Sequence, residues 1–270
     1  MIMINGEQGS TIHVMDRAVM YGDGVFRTMR MEQGEIKCWP QQYQKLNSDC
    51  QALEILCPAR STLEQELQSF AKDEPNSVLK IIVSRGEGGR GYGVPTSASP
   101  NRVILSSPLP EYPVHFWQHG INLHLCDIRL SHQPRLAGIK HLNRLENVLA
   151  RMEWTDSNIT EGLLLDGEGW VVEGTMSNIF MRMGQRLLTP DLSTCGVNGL
   201  QRDRILKFAP TLGLSTDITR FDLPSLLQAE EIFVSNSLIG LWPVRRIGTT
   251  PIPLGPIAMK MQRILENEID

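Results

Sequence analysis

Residues 106–120 read SSPLPEYPVHFWQHG, with Pro108, Pro110 and Pro113 close together. Proline lacks an amide donor and fixes φ, so no regular helix or central strand runs through this stretch. Sheet-forming segments lie on both sides of it. The chain is therefore expected to divide there, with a small N-terminal domain over 1–112, a linker over 113–120 and a larger domain over 121–270. A length of 270 residues has room for two modest domains.

Before the prolines, MIMI followed by Asn5-Gly6 reads as a strand entering a tight turn. VFRTMRM (25–31) and IKCW (36–39) read as a hairpin. Pro40 is placed to open a helix carrying Tyr43, Leu46, Leu53 and Leu56. Ser61 and Glu64 have the spacing of a capping box for a second helix with Leu63, Leu67 and Phe70. VLKIIVS (78–84) and RVILS (102–106) read as strands around a glycine-rich loop.

After the prolines, INLHLCDI (121–128) alternates as a half-buried strand does. Asn143 and Glu146 resemble a capping box opening a helix with Leu145, Val148, Leu149 and Met152 at helical spacing. GLLLD and WVVEG form a hairpin around Gly167-Glu168-Gly169, and NIFMRM (178–183) and RLLTP (186–190) form another. LQRDRILKFAPTLG (200–213) reads as a helix between glycines, EIFVSN (231–236) as a strand and IAMKMQRILENEI (257–269) as a closing helix. Hairpins mixed with helices in both halves make the fold class α+β.

The apolar fraction is 41% and the charged fraction 21%, as in an ordinary soluble enzyme. A net charge of −4 without a long basic run argues against nucleic acid or an anionic membrane as the main partner. No apolar run has membrane-spanning length, and MIMINGEQGS lacks the pattern of a secretory signal. The five cysteines are scattered without a CxxC pair, which suits a reducing cytoplasm. The six histidines show no ligand spacing, so no metal site is expected.

Four stretches bear on chemistry. GEGGRGYG (86–93) satisfies G-x-G-x-x-G, but YGVPTSASP follows where a dinucleotide site needs a helix, so that reading is rejected. The loop is either a mobile cover in which Arg85 and Arg90 meet a carboxylate or a plain hairpin tip. GVNGLQR (196–202) runs glycines straight into a helix, where free amides and the dipole favour an anion. Glu173 ends the apolar run WVVEG, where a carboxylate needs a partner. Lys140 lies just before the helix of GIKHLNRLENVLAR, either as a solvated charge or as an amine held for a Schiff base. An amine, an anion cradle and an isolated carboxylate together are what pyridoxal 5′-phosphate requires.

MDRAVMYGDGVFRT (15–28), GIKHLNRLENVLAR, EGTMSNIF and GVNGLQRD resemble the fold-type IV pyridoxal-phosphate enzymes over nearly the whole chain. AGIKHLNRLE, SRGEGGRGY and GDGVFRT are similar to the forms found in the family's lyase branch. The resemblance implies a small N-terminal α/β domain, a larger C-terminal pseudo-barrel and a homodimer. It implies cleavage of 4-amino-4-deoxychorismate to 4-aminobenzoate and pyruvate, toward folate, through the coenzyme's external aldimine. The alternative is an aminotransferase of the D-amino-acid or branched-chain type, which shares every cofactor residue.

Carried over by motif, Lys140 matches the Schiff-base lysine and Thr28 a threonine that assists proton transfer. Glu173 matches the partner of the ring nitrogen. Leu200 and Gln201 match the positions whose amides hold the phosphate, with Ser177, Asn236 and Ser237 also on the cofactor side. Lys45, in QYQKL, stands where the family usually has a phosphate-gripping arginine; lysine keeps the charge without the two-pronged geometry. Arg27, Arg90 and Arg144 are the candidates for the substrate's two carboxylates, at least one of them expected to be a surface charge only.

Overall fold

The computed structural model describes residues 1–96 and 98–267. The chain forms two compact units, one of Met1–Pro110 with Ile139–Asn143, the other of Glu111–Gly138 with Arg144–Asp270.

The first unit contains β1 (Ile2–Ile4), β2 (Glu7–Gln8), α1 (Arg17–Tyr21), β3 (Gly24–Glu32), β4 (Glu35–Ile36), α2 (Trp39–Ala52), α3 (Arg60–Asp73), β5 (Ser77–Ser84) and β6 (Arg102–Ser107). Its strands make one antiparallel sheet in the order β2-β1-β6-β5-β3-β4. The two tight turns form where expected, with Asn5-Gly6 and Gln33-Gly34 all at positive φ, as the turns that suit twisted strands demand. Along β3 the side chains alternate: Val25, Arg27, Met29 and Met31 are buried, Phe26 and Thr28 only partly. Val25, Met29 and Met31 pack with Leu46 and Cys50 of α2 and with Leu63, Leu67 and Phe70 of α3.

Several local signals resolved differently. Ser61 lies inside α3, whose N-cap is Ala59, and Glu64 instead accepts from Arg60 and from the indole N–H of Trp39. IKCW ends as a strand at Ile36, because Cys38 turns into the left-handed region to start α2. Leu53 follows the end of α2, and Leu56 is exposed.

The second unit contains α4 (His115–His119), β7 (Ile121–Leu130), α5 (Leu145–Arg151), β8 (Glu161–Asp166), β9 (Val171–Gly174), β10 (Asn178–Met183) and β11 (Arg186–Thr189). Then come α6 (Leu200–Phe208), β12 (Ser215–Ile218), α7 (Leu223–Leu227), β13 (Glu231–Asn236), β14 (Gly240–Ile247), β15 (Thr250–Pro251) and α8 (Pro256–Asn267). The strand order is β12-β11-β10-β13-β14-β7-β8-β9, with β15 beside β14. β9, at one end of that order, runs through residues 175–177 into β10 and stays beside it, so the sheet curls into an incompletely closed barrel. One face buries Trp242 among Tyr112, Phe116 and Trp117, with ring centroids 4.7, 5.3 and 5.7 Å away in edge-on geometry. The other face packs Phe180 and Phe233 against α6 and α8.

The expected linker is thus part of the second unit: 113–120 includes α4, and Phe116 and Trp117 pack on its core. The division falls after Pro110, and Ile139–Asn143 belongs with the first unit, a return that the prolines do not signal. The capping box at Asn143 does not form. α5 starts without a side-chain cap, the Asn143 amide donates to the Gly22 carbonyl, and Glu146 accepts from Ser131 N–H. β14 escaped the sequence reading because Pro243 lies in its middle; it faces Phe233 of β13, while the parallel pairing to β7 begins at Val244. The last residues of the expected closing helix, Glu268 and Ile269, lie outside the described residues.

Candidate active site

In the first unit, Ile139–Asn143 is laid against the start of β3. Phe26 N–H donates to the Lys140 carbonyl at 2.9 Å, Leu142 N–H donates to the Gly24 carbonyl at 3.0 Å, and Val25 bridges to His141. Gly24 is needed for this approach, since a Cβ there would stand 2.8 Å from Leu142 Cδ1 and 2.6 Å from the Val83 carbonyl. The Lys140 ammonium lies 4.7 Å from the centre of the Phe26 ring, and the Lys80 ammonium lies 4.8 Å from the same ring. A cation over an aromatic face gains about 0.5–2 kcal/mol according to its desolvation. Thr28 shares the face of β3 that carries Phe26, and Lys80 is its cross-strand partner. This face therefore gathers Lys140, Phe26, Thr28 and Lys80. Sequence reading missed Lys80, whose place in an apolar strand, VLKIIVS, was the available signal.

Arg27 is not on that face. Its side chain is buried and paired with Asp49 of α2. This corrects its expected role at a substrate carboxylate: strand alternation turns it toward the helices. Asp49 also accepts Lys140 N–H at 3.3 Å. Burial pushes the Asp49 carboxyl up, while the Arg27 charge, the Lys140 amide and the Lys45 charge pull it back. Lys45 stands one helical turn before Asp49 on α2.

The glycine-rich loop is tied down rather than loose. Arg17 donates to the carbonyls of Gly91, Tyr92 and Gly93 at 3.4, 3.3 and 3.2 Å, and the Tyr21 hydroxyl accepts Gly91 N–H at 3.1 Å. Arg85 is buried and grips Asp23 with two donors, at 2.7 and 3.1 Å, so it is structural. Burial alone would raise the Asp23 carboxyl, but hydrogen bonds from Arg85 and Arg17 outweigh it and hold it below the usual range. Arg90 is exposed on the loop.

In the second unit, Glu173 is buried at the end of β9 and accepts Val197 N–H at 2.8 Å. Asn178 accepts Gly199 N–H at 3.1 Å and donates to the Val197 carbonyl at 2.8 Å. These bonds hold residues 196–199 as the entry to α6. Gly199 is its N-cap, where a Cβ would lie 2.3 Å from Asn178 Oδ1. No side chain caps α6, so its opening amides, at Leu200 and Gln201, keep the positive end of the dipole for an anion. Taken unit by unit among the described residues, the chemistry suits pyridoxal phosphate: the first unit offers an amine, and the second by itself offers a buried carboxylate next to an amide cradle.

Ser177 and Asn236 have other work. The Ser177 hydroxyl donates to Glu161 at 2.8 Å. Asn236 donates to the Met176 carbonyl and accepts from Leu238 and Ile239 N–H, shaping the turn that includes Ser237. Glu161, which sequence reading missed, is buried and accepts five hydrogen bonds, from Gly162, Thr175 N–H, the Thr175 hydroxyl, Met176 and Ser177. It organises the loop between Glu173 and β10. Burial raises its carboxyl above the usual range against the pull of those donors. Arg144 is half-buried at the start of α5.

Folding also brings together His124, Cys126 and Glu153, and His132, Asp166 and Cys195, groups that spacing in the sequence does not reveal. Hydrogen bonds already engage their acids: Glu153 accepts from Asp127 and Ile128 N–H, and Asp166 from Glu168 and Trp170 N–H.

The fold and these side-chain sets define the class: the chain belongs to the amino-transferase class IV family, whose profile matches residues 24–247. Within that class, an aminodeoxychorismate lyase of Vibrio harveyi is 32% identical over 267 residues, covering 97% of this chain and 98% of its own. The crystal structure of the 4-amino-4-deoxychorismate lyase of Pseudomonas aeruginosa matches with a TM-score of 0.95 and 40% identity, covering 100% of both chains. A hypothetical aminotransferase of Mycobacterium tuberculosis, in its PLP-bound form, has the same fold with a TM-score of 0.84 at 18% identity, covering 99% and 98%.

Proposed function

We propose that this chain is an aminodeoxychorismate lyase, splitting 4-amino-4-deoxychorismate into 4-aminobenzoate and pyruvate with pyridoxal 5′-phosphate, in folate biosynthesis. The observation that carries the reading is Lys140, its backbone locked to β3 and its ammonium over Phe26 on the face with Thr28, in a chain so similar to two lyases. When bound, the coenzyme supplies an aldehyde for the substrate amine and an electron-withdrawing ring. Glu173 would keep the ring nitrogen protonated, while the amides of Leu200 and Gln201, with Lys45, would hold the phosphate. Ser177, Asn236 and Ser237 serve by shaping the loops on that side.

Lys140 Nζ would take the proton from the substrate's amine-bearing carbon, with the Thr28 hydroxyl orienting the amine. Departure of the enolpyruvyl oxygen leaves the ring aromatic, and the Lys140 ammonium returns a proton to the methylene of the departing three-carbon unit. Lys80 adds a positive charge on that face, suited to a carboxylate. Arg90 and Arg144 stay as further candidates for the substrate's carboxylates. The five free cysteines suit a reducing cytoplasm. A homodimer is supported by α5, whose Leu145, Val148 and Leu149 form one exposed apolar face with Met152 at the helix end.

The test is product analysis. Purified protein with the coenzyme and 4-amino-4-deoxychorismate should release 4-aminobenzoate and pyruvate in equal amounts. Efficient amino transfer from an amino acid to 2-oxoglutarate, with no 4-aminobenzoate formed, would replace this reading by the aminotransferase one.

A further inference from the structure

Arg27 and Asp49 form a buried ion pair within the core of the first unit, between β3 and α2. Replacing such a pair by apolar side chains often costs nothing in stability, because desolvation cancels most of the attraction. Its retention here has another correlate. The Asp49 oxygen that pairs with Arg27 also accepts Lys140 N–H at 3.3 Å. The next backbone bond on the same residue, from Phe26 N–H to the Lys140 carbonyl, is 2.9 Å long. Phe26 is the sequence neighbour of Arg27 and carries the ring under the Lys140 ammonium, at 4.7 Å. One carboxylate therefore ties together the strand that supplies the ring and the residue that supplies the amine.

We infer that Arg27 and Asp49 are positioning residues for Lys140. The guanidinium fixes the carboxylate, and the carboxylate fixes the peptide N–H of Lys140. That sets the register of Ile139–Asn143 on β3 and the height of the amine over Phe26. The inference rests on the proposed role of Lys140 and deepens it. A displacement of about 1 Å at a reacting group can cost about a hundredfold in rate.

The decisive variant is the double substitution Arg27→Met with Asp49→Leu, which removes both charges at similar volume. Wild type and variant are incubated with pyridoxal 5′-phosphate, reduced with borohydride and digested, and the pyridoxyl adduct is mapped by mass spectrometry. The pH at which the visible coenzyme band changes is recorded in parallel. The variant should fold with the circular dichroism and melting temperature of wild type. It should label Lys140 about tenfold more slowly, shift the spectral midpoint and lower kcat about tenfold with KM little changed. Arg27→Lys, which keeps the charge but not the fork, should shift the midpoint in the same direction by less; it also serves as the test if the double variant does not fold. Labelling of Lys140 with wild-type rate and midpoint in both variants would overturn the positioning role while leaving the coenzyme assignment intact. An adduct away from Lys140 in the wild type would instead remove the coenzyme assignment, and this inference with it.

Discussion

Lys140 follows buried Ile139, and its amide and carbonyl are both hydrogen-bonded, so its backbone is fixed on both sides of the residue. Its candidacy is legible in the sequence because it stands upstream of a helix start rather than on a wet helical face. The role of Arg27 was not legible, because strand alternation says which residues share a face but not which face is buried. Glu173 differs again: the sequence shows an acid closing an apolar run, and the structure adds Val197 N–H as a donor to it. If Glu173 serves the ring nitrogen, Glu173→Gln should depress turnover far more than coenzyme content, which absorbance and a phosphate assay would separate. Equal losses in both would make it a tether. Gly86 makes a sharper prediction. Its φ is +92°, and a Cβ would lie 1.9 Å from the Ser99 carbonyl oxygen. Gly86→Ala should therefore destabilise the protein by about 2 kcal/mol or more in urea unfolding.

At the level of elements, periodicity and turn chemistry located most strands and helices, whereas side-chain caps were misjudged. Ser61 and Asn143 carry capping-box spacing, yet neither caps, since tertiary partners claimed Glu64, Asn143 and Glu146 first. Asp222, which no spacing rule singled out, does cap α7, accepting Ser225 N–H at 2.9 Å. Asp222→Ala should thus cost about 1 kcal/mol, and Ser61→Ala under about 0.5 kcal/mol, compared by chemical denaturation. The reverse order would mean that these caps have been misassigned. The short strands β12 and β15 lack an alternating run of their own and exist because a neighbour offers an edge, whereas the longer β14 is masked by Pro243. The apolar face of α5 is the opposite case. Its spacing was read correctly, but the side chains point to solvent instead of the core of its own unit. If this face carries the proposed subunit contact, wild type should sediment as a dimer and Leu149→Asp as a monomer of unchanged helix content; a dimeric variant would place the contact elsewhere, and a monomeric wild type would remove the dimer proposal.

For the molecule as a whole, acid should act on both units. Asp23 in the first and Asp166 in the second are each pushed up by burial but held lower by the sum of their donors, Arg85 and Arg17 for the one, His132 with the Trp170 and Glu168 amides for the other. A carboxylate whose folded pKa is depressed stabilises the protein above its unfolded value and loses that contribution as pH falls through the folded one. Unfolding free energy should hold near neutrality and fall below about pH 4, and Asp166→Asn should flatten that acid limb. An acid limb as steep as that of wild type would show that this carboxylate is not depressed. The sequence alone determined the α+β class, and it singled out Lys140, Glu173 and the glycine-led helix start as candidates, because periodicity, turn residues and motif order are local properties. Only the tertiary structure decided that Ile139–Asn143 crosses back to the first unit, that Arg27 faces inward to Asp49, and that Glu161 gathers the loop after Glu173. Those outcomes depend on which distant donor reaches a buried charge first, and no spacing along the chain encodes that competition.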